Sequence, residues 1–140
     1  MPNLIDNCLF CSIIKGDIPS VKIYEDEYTL TFLDIAPYRE GHCLVIPKSH
    51  AQNILDLNPN HAGHVLKTIQ HIAPAIMKAT NSQGFHVLQN NFAAAGQTVF
   101  HVHWHIIPRA DGDNLSLWTQ TPYKNQNMML EVAKTITTRL

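Results

Sequence analysis

Nine histidines stand in this chain, and three of them alternate in one short run, His101-Val102-His103-Trp104-His105, that continues into Ile106-Ile107-Pro108. Read as a strand, the run places side chains two apart on one face at a spacing of about 6.6 Å. His101, His103 and His105 then form a row, with Val102, Trp104 and Ile106 opposite. Three neighbouring imidazoles repel when protonated and are costly to bury unpaired. The row therefore asks for a metal, a phosphate or another ligand to face.

The segment before the row, Gly96-Gln97-Thr98-Val99-Phe100, places a glycine, an amide and a hydroxyl where a loop enters a strand. Backbone N–H groups and polar side chains arranged that way hold a phosphate without any cation. An ordinary hairpin loop beside exposed histidines is the competing reading of the same residues. A second constellation is Cys8-x-x-Cys11 with His50 and one triad histidine. Zinc takes four sulfur or nitrogen ligands in a tetrahedron, but the 38 residues between Cys11 and His50 match no zinc-finger spacing, so two buried or redox thiols and a surface His50 stay open. A third is Asp34 at the end of Thr31-Phe32-Leu33, placed either to accept ribose hydroxyls or to form a turn before Pro37. Neither a P-loop nor a dinucleotide-binding glycine motif is present.

The elements that must position these groups follow from periodicity. Leu9 to Lys15 predicts two helical turns with Asp6 or Asn7 as cap and Gly16 as stop. Lys22–Tyr24 and Tyr28–Leu33 predict a hairpin around Glu25-Asp26-Glu27, and His42–Ile46 a strand bounded by Gly41 and Pro47. From Pro59 to Ala79, Ala62, Val65, Leu66, Ile69, Ile72, Ala73, Ile76 and Met77 recur with helical spacing, so one long helix lies on the sheet, and Pro74 should kink it. Strands at 84–89 and 101–107 and a terminal helix at 127–137 complete the set. His61, His64 and His71 fall on or near the polar side of the long helix and are expected to be solvated, His86 takes a structural role in a strand, and Cys43 is core. The fold class is α+β, an antiparallel sheet of about five strands with one long helix and short terminal helices.

Composition sets outer limits. The 140 residues suit one domain with its own core. A net charge of −1 supplies no field for nucleic acid or a membrane surface. No signal peptide and no apolar run of about 18 residues is found, and three cysteines with a Cys-x-x-Cys pair argue against a secreted disulfide framework. The expectation is a soluble cytoplasmic protein.

The run from His101 to Pro108 closely resembles the histidine triad signature, His-x-His-x-His followed by apolar residues. Cys8-Leu9-Phe10-Cys11-Ser12-Ile13-Ile14, Asp17-Ile18-Pro19-Ser20, Phe32-Leu33-Asp34-Ile35-Ala36-Pro37, Gly41-His42-Cys43-Leu44-Val45-Ile46-Pro47-Lys48 and Gly96-Gln97-Thr98 are similar, in order, to the Hint branch of that family. The resemblance implies hydrolysis or transfer at the α-phosphate of a purine nucleoside phosphoramidate or dinucleoside polyphosphate, through a nucleotidylated histidine. It places the nucleophile at His103, with His105, Gln97 and His42 beside it. Phosphate donors match Thr98 and the Gly96 backbone, ribose contacts match Asp34 and Asn90, and the base slot matches Phe10, Ile18, Phe32 and Ile35. It also implies a structural zinc on Cys8, Cys11, His50 and His101, and a homodimer whose central strands join two sheets. A catalytically silent purine-nucleotide-binding regulatory module is the alternative. The chain departs from the pattern at Trp104, larger than the aliphatic residues common there. Residues 111–140 depart as well, an extension of the single domain 1–140 unlike the family's short ending.

Overall fold

The computed structural model describes residues 2–116 and 118–140. Helix α1, Leu9–Lys15, is capped by the Cys8 sulfur, which accepts the Cys11 N–H at 3.4 Å, and not by Asp6 or Asn7. At its end Gly16 turns left-handed at φ +86° and returns its N–H to the Ile13 carbonyl. Strands β1 (Lys22–Glu25), β2 (Thr29–Leu33) and β3 (Cys43–Pro47) precede helix α2 (Pro59–Ala79). Strands β4 (Gly84–Leu88) and β5 (Trp104–Arg109) follow, and helix α3 (Gln126–Thr137) ends the chain. The strands form one sheet in the order β1-β2-β3-β5-β4, antiparallel throughout. Among the described residues no helix is long and apolar enough to cross a membrane.

Both faces of the central strands are covered, which is why β3 reads as an unbroken apolar run. Its Cys43 and Val45 meet Val65, Ile69, Ile72 and Ile76 of α2. Leu44 and Ile46 point the other way, toward Phe10, Cys11 and Ile13 of α1. The sheet is thus a two-sided wall, and the α1 side carries the histidines.

Three expectations change. The strand bearing the triad begins at Trp104, not His101, because the Val102 N–H bonds to the Ala51 carbonyl at 2.8 Å instead of to β3. The alternation survives, since Val102, Trp104 and Ile106 still pack under α2. On α2, Leu66 lies 57% exposed and Thr68 takes a buried place, its hydroxyl paired with that of Thr29 at 2.7 Å. The helix runs from Pro59 to Ala79 through Pro74, where Pro74 and Gln70 both face solvent. Finally, His64 is not free in solvent: its ring lies flat on Tyr28, with centroids 3.7 Å apart.

The turn into β3 depends on Gly41, whose φ of +90° and close neighbours exclude a side chain. A β-carbon there would come within 2.5 Å of Thr80 Cγ2, and the Thr80 hydroxyl is already tied to the Ile76 carbonyl and Ser82. Gly41→Ala is expected to cost ~1–3 kcal/mol, read from the urea unfolding midpoint.

Candidate functional site

The tautomers of the four central imidazoles follow from partners of unambiguous character. The His103 Nδ1 lies 2.7 Å from the His101 carbonyl, which only accepts, so Nδ1 carries the proton and Nε2 keeps its lone pair. Tyr38 donates its N–H to Nδ1 of His42 at 3.1 Å, so a neutral His42 is protonated at Nε2 and donates that proton to Nδ1 of His105, 2.9 Å away. His105 is left with an Nε2–H. One ring thus presents a nucleophilic nitrogen and its neighbour a donor, with the two ring centroids 5.1 Å apart.

Burial keeps these rings neutral. His105 is pushed down to about 4, first by desolvation and then by the adjacent His103 and His42. His42 and His103 are lowered for the same first reason, partly offset by the Asp34 carboxylate.

A cavity of about 290 Å³ opens above them, lined by Phe10, Ile18, Phe32, Asp34, Thr98 and Ile35 together with His103 and His105. Phe10 stands edge-on to His103 at 5.1 Å and to Phe32 at 5.4 Å. Asp34 forms the expected turn, Oδ1 accepting the Ala36 N–H at 2.8 Å, while Oδ2 lies 3.5 Å from His42 Nε2. Ile35 is fully exposed at the rim.

Gln97, Gly96 and Asn90 do not line the cavity. The Gln97 amide donates to the carbonyls of Gln52 (2.7 Å) and Val99 (3.1 Å) and accepts the Phe92 N–H (2.8 Å). It braces the loop, whose Phe92 sits at a costly φ of +68°. Walls that the sequence reading did not name are Leu9, Ile13, Val21, Leu44 and Val99. Of the two on α1, Ile13 follows Phe10 by three residues and Leu9 by four, a helical spacing visible in the sequence.

Next to this cavity Cys8, Cys11, His50 and His101 converge, every ligand atom within 4.8 Å of the others. The His101 Nε2–H donates to the Pro47 carbonyl at 2.9 Å, which turns the Nδ1 lone pair into the cluster. There it meets Cys8 Sγ at 3.5 Å, Cys11 Sγ at 3.6 Å and His50 Nδ1 at 3.2 Å, and Cys11 Sγ lies 3.5 Å from His50 Nδ1. A tetrahedral centre with bonds of about 2.3 Å to sulfur and about 2.05 Å to nitrogen has N···S edges of roughly 3.6 Å and N···N edges of roughly 3.3 Å. The spacing fits a metal ion. Asp34, His42 and His105 also cluster, but the Tyr38 N–H holds His42 in the tautomer whose Nε2 has no lone pair, so that trio is a proton-bonded relay.

A family model for the HIT domain matches residues 15–112. The chain belongs to the HIT family. Among HIT relatives, "Protein hit" of Bacillus subtilis is 43% identical over 136 residues, covering 92% of this chain and 94% of its own. The adenosine 5'-monophosphoramidase hnt1 of Schizosaccharomyces pombe is 46% identical over 103 residues, 74% of each chain. The crystal structure of SMU.412c from Streptococcus mutans superposes with a TM-score of 0.90 at 40% identity, covering 99% of this chain and 88% of that one. A zinc-bound histidine triad protein from Mycobacterium smegmatis gives 0.76 at 37% identity, covering 96% and 98%. The HIT fold thus accounts for the five-stranded antiparallel sheet and its helices.

Neutral buried histidines carry a pH signature. An unfolded histidine takes up a proton near 6.5 while His105 stays neutral until about 4. Between those values the unfolded chain binds more protons, so stability falls as pH falls. Urea midpoints measured from pH 7 to pH 5, above the carboxylate range, are expected to decline with acidification. The slope should be shallower in His105→Gln.

Proposed function

We propose that this HIT protein is a nucleotide hydrolase or transferase that attacks the α-phosphate of a purine nucleoside phosphoramidate or dinucleoside polyphosphate through a covalent intermediate on His103. The observation that carries the reading is the His103 Nδ1–H held by the His101 carbonyl, which leaves Nε2 unprotonated at the wall of an apolar cavity. The purine stacks among Phe10, Ile18, Phe32 and Ile35, and the free oxygen of Asp34 meets the ribose. Asn90 and Gly96 act through the shape of the loop, and Gln97 is a positioning residue there.

In the first step Nε2 of His103 bonds to phosphorus as the bond to the leaving group breaks, and the departing amine or phosphate takes a proton from solvent. In the second, water oxygen bonds to phosphorus, the phosphorus–nitrogen bond to His103 breaks, and one proton returns to solvent. Thr98 and the Nε2–H of His105 donate to phosphoryl oxygens, where aimed donors count most. His42 keeps His105 in the donating tautomer. The name of the fission yeast relative, a monophosphoramidase, supports this substrate class.

The metal cluster reads as a structural zinc site. Two sulfurs and two imidazole nitrogens at tetrahedral spacing form a closed shell with no place for a reacting water, and the zinc-bound mycobacterial relative supports the choice of ion. When bound, zinc supplies structural tethering, holding α1, His50 and His101 together. Buried free thiols at Cys8, Cys11 and Cys43 fit a reducing compartment, in line with a cytoplasmic location. A homodimer joined at the open edge of β4 completes the reading.

Early quenching with a radiolabelled adenosine phosphoramidate is expected to trap protein-bound nucleotide in the wild type and none in His103→Ala, with turnover reduced about 10⁴-fold or more. Loss of the donor in His105→Leu should cost roughly 10²–10³-fold in kcat. Elemental analysis is expected to find near-stoichiometric zinc that disappears in the Cys8→Ser/Cys11→Ser double variant, with a lower Tm. Wild-type turnover by His103→Ala would remove the mechanism.

A further inference from the structure

The geometry points to Cys8-x-x-Cys11 as an oxidation site that governs the metal cluster and, through it, the orientation of His103. A hydroperoxide is the co-reactant, a Cys8–Cys11 disulfide is the product, and loss of the bound ion is the consequence. The inference rests on the structural zinc proposed above.

The cluster is open on one side. A second cavity, of about 400 Å³, shares Leu9, Thr98 and Val99 with the first and ends on Cys8 and His50, with Gln52 and Phe100 among its other walls. Cys8 keeps 7% of its surface exposed, whereas Cys11 keeps none. One sulfur therefore meets what enters from solvent and the other waits behind it. An accessible thiol backed by a second that can resolve its sulfenic acid is the arrangement of a reversible oxidation site.

The two sulfurs are within reach of each other. The Cys11 N–H already bonds to the Cys8 sulfur at 3.4 Å, and the sulfurs lie within 4.8 Å of one another. A disulfide brings them to about 2.05 Å. Residues this close at the start of α1 cover the difference by turning their side chains, with no displacement of a strand or helix. Cys43 supplies the contrast. It packs under α2 on the opposite face of the sheet, where burial pushes its thiol up to about 12, and the thiolate is the reactive form.

In the first step the Cys8 thiolate attacks one peroxide oxygen, the O–O bond breaks and hydroxide leaves, giving Cys8 sulfenic acid. In the second the Cys11 thiolate attacks that sulfur, the S–S bond forms and a second hydroxide leaves. The two sulfurs together give up two electrons, and the peroxide takes them. Metal ligation needs deprotonated, charged sulfur, which the disulfide no longer offers, so His50 and His101 alone face the ion. The His101 ring, held on one side by the Pro47 carbonyl, then loses its restraint on the other. Its carbonyl is the group that orients His103.

The test treats the zinc-loaded full chain with hydrogen peroxide beside a chromogenic zinc chelator. Free thiols, peptide mass and adenosine phosphoramidate turnover are followed together. The expected result is zinc release, a fall from three free thiols to one, and a loss of two hydrogens from the tryptic peptide that ends at Lys15 and carries both cysteines. Turnover should fall at least about 10-fold. Dithiothreitol followed by zinc should restore every reading, which separates the disulfide from methionine sulfoxide. In Cys43→Ala the same release should leave no free thiol. Zinc and three thiols retained under peroxide overturn the oxidation site, as does oxygen added to Cys8 without a disulfide. Zinc release with undiminished turnover overturns the link to His103. A wild type purified without zinc removes the zinc reading and this inference together. Zinc release and disulfide formation in a protein with no turnover in any state removes the proposed reaction and leaves the oxidation site standing.

Discussion

The hydrogen bond from His103 Nδ1 to the carbonyl of His101 is the constraint on which the rest of the site depends. It chooses the tautomer of the proposed nucleophile, and it ties that choice to the backbone of a residue immobilised on three sides. His101 gives its Nε2–H to Pro47, at the end of β3, and turns Nδ1 among Cys8, Cys11 and His50. The candidate metal cluster and the proposed nucleophile are thus joined through one peptide unit. The cluster's effect on chemistry is geometric: whatever displaces the His101 ring displaces the carbonyl that orients His103.

The same logic runs down the other side of the site. His42 is fixed from the backbone by Tyr38, and it in turn fixes His105. Three side chains, His103, His42 and His105, therefore acquire defined proton positions from two main-chain groups, a C=O and an N–H, neither of which titrates. Crowding reinforces the pattern, because a proton added to any one of these rings meets a donor already facing it or a neighbouring ring within about 5 Å. Desolvation is the first cause of each lowered histidine, so the neutral state is first a property of burial.

Much of this could be read from residue order, and the parts that could not share a cause. Alternation of Val102, Trp104 and Ile106 against His101, His103 and His105 needs only a period of two, and α2 needs only a period of 3.6, so both were legible. The cap of α1 was not, since Asp6 and Asn7 are the better caps by local preference, while the Cys8 sulfur faces its distant partner His101 at 3.5 Å. Thr68 replaces Leu66 on the buried face of α2 because Thr29, 39 residues earlier, supplies a hydroxyl partner. The resemblance sets Gln97 beside the nucleophile, whereas its amide is bonded to Gln52, Val99 and Phe92. In each case a tertiary partner, silent in the local sequence, decides.

The cavity lining contains neither Lys nor Arg among the described residues, a notable condition for a site proposed to process phosphate esters. Neutral N–H and O–H dipoles fixed beside an apolar cavity need little reorganisation as charge shifts between phosphoryl oxygens. Phe10 strengthens that arrangement. Its edge contact with His103 removes water from one side of the ring, and a less solvated Nε2 lone pair is the better nucleophile. An apolar slot, neutral donors and an unprotonated Nε2 therefore form one consistent design for the reaction proposed above.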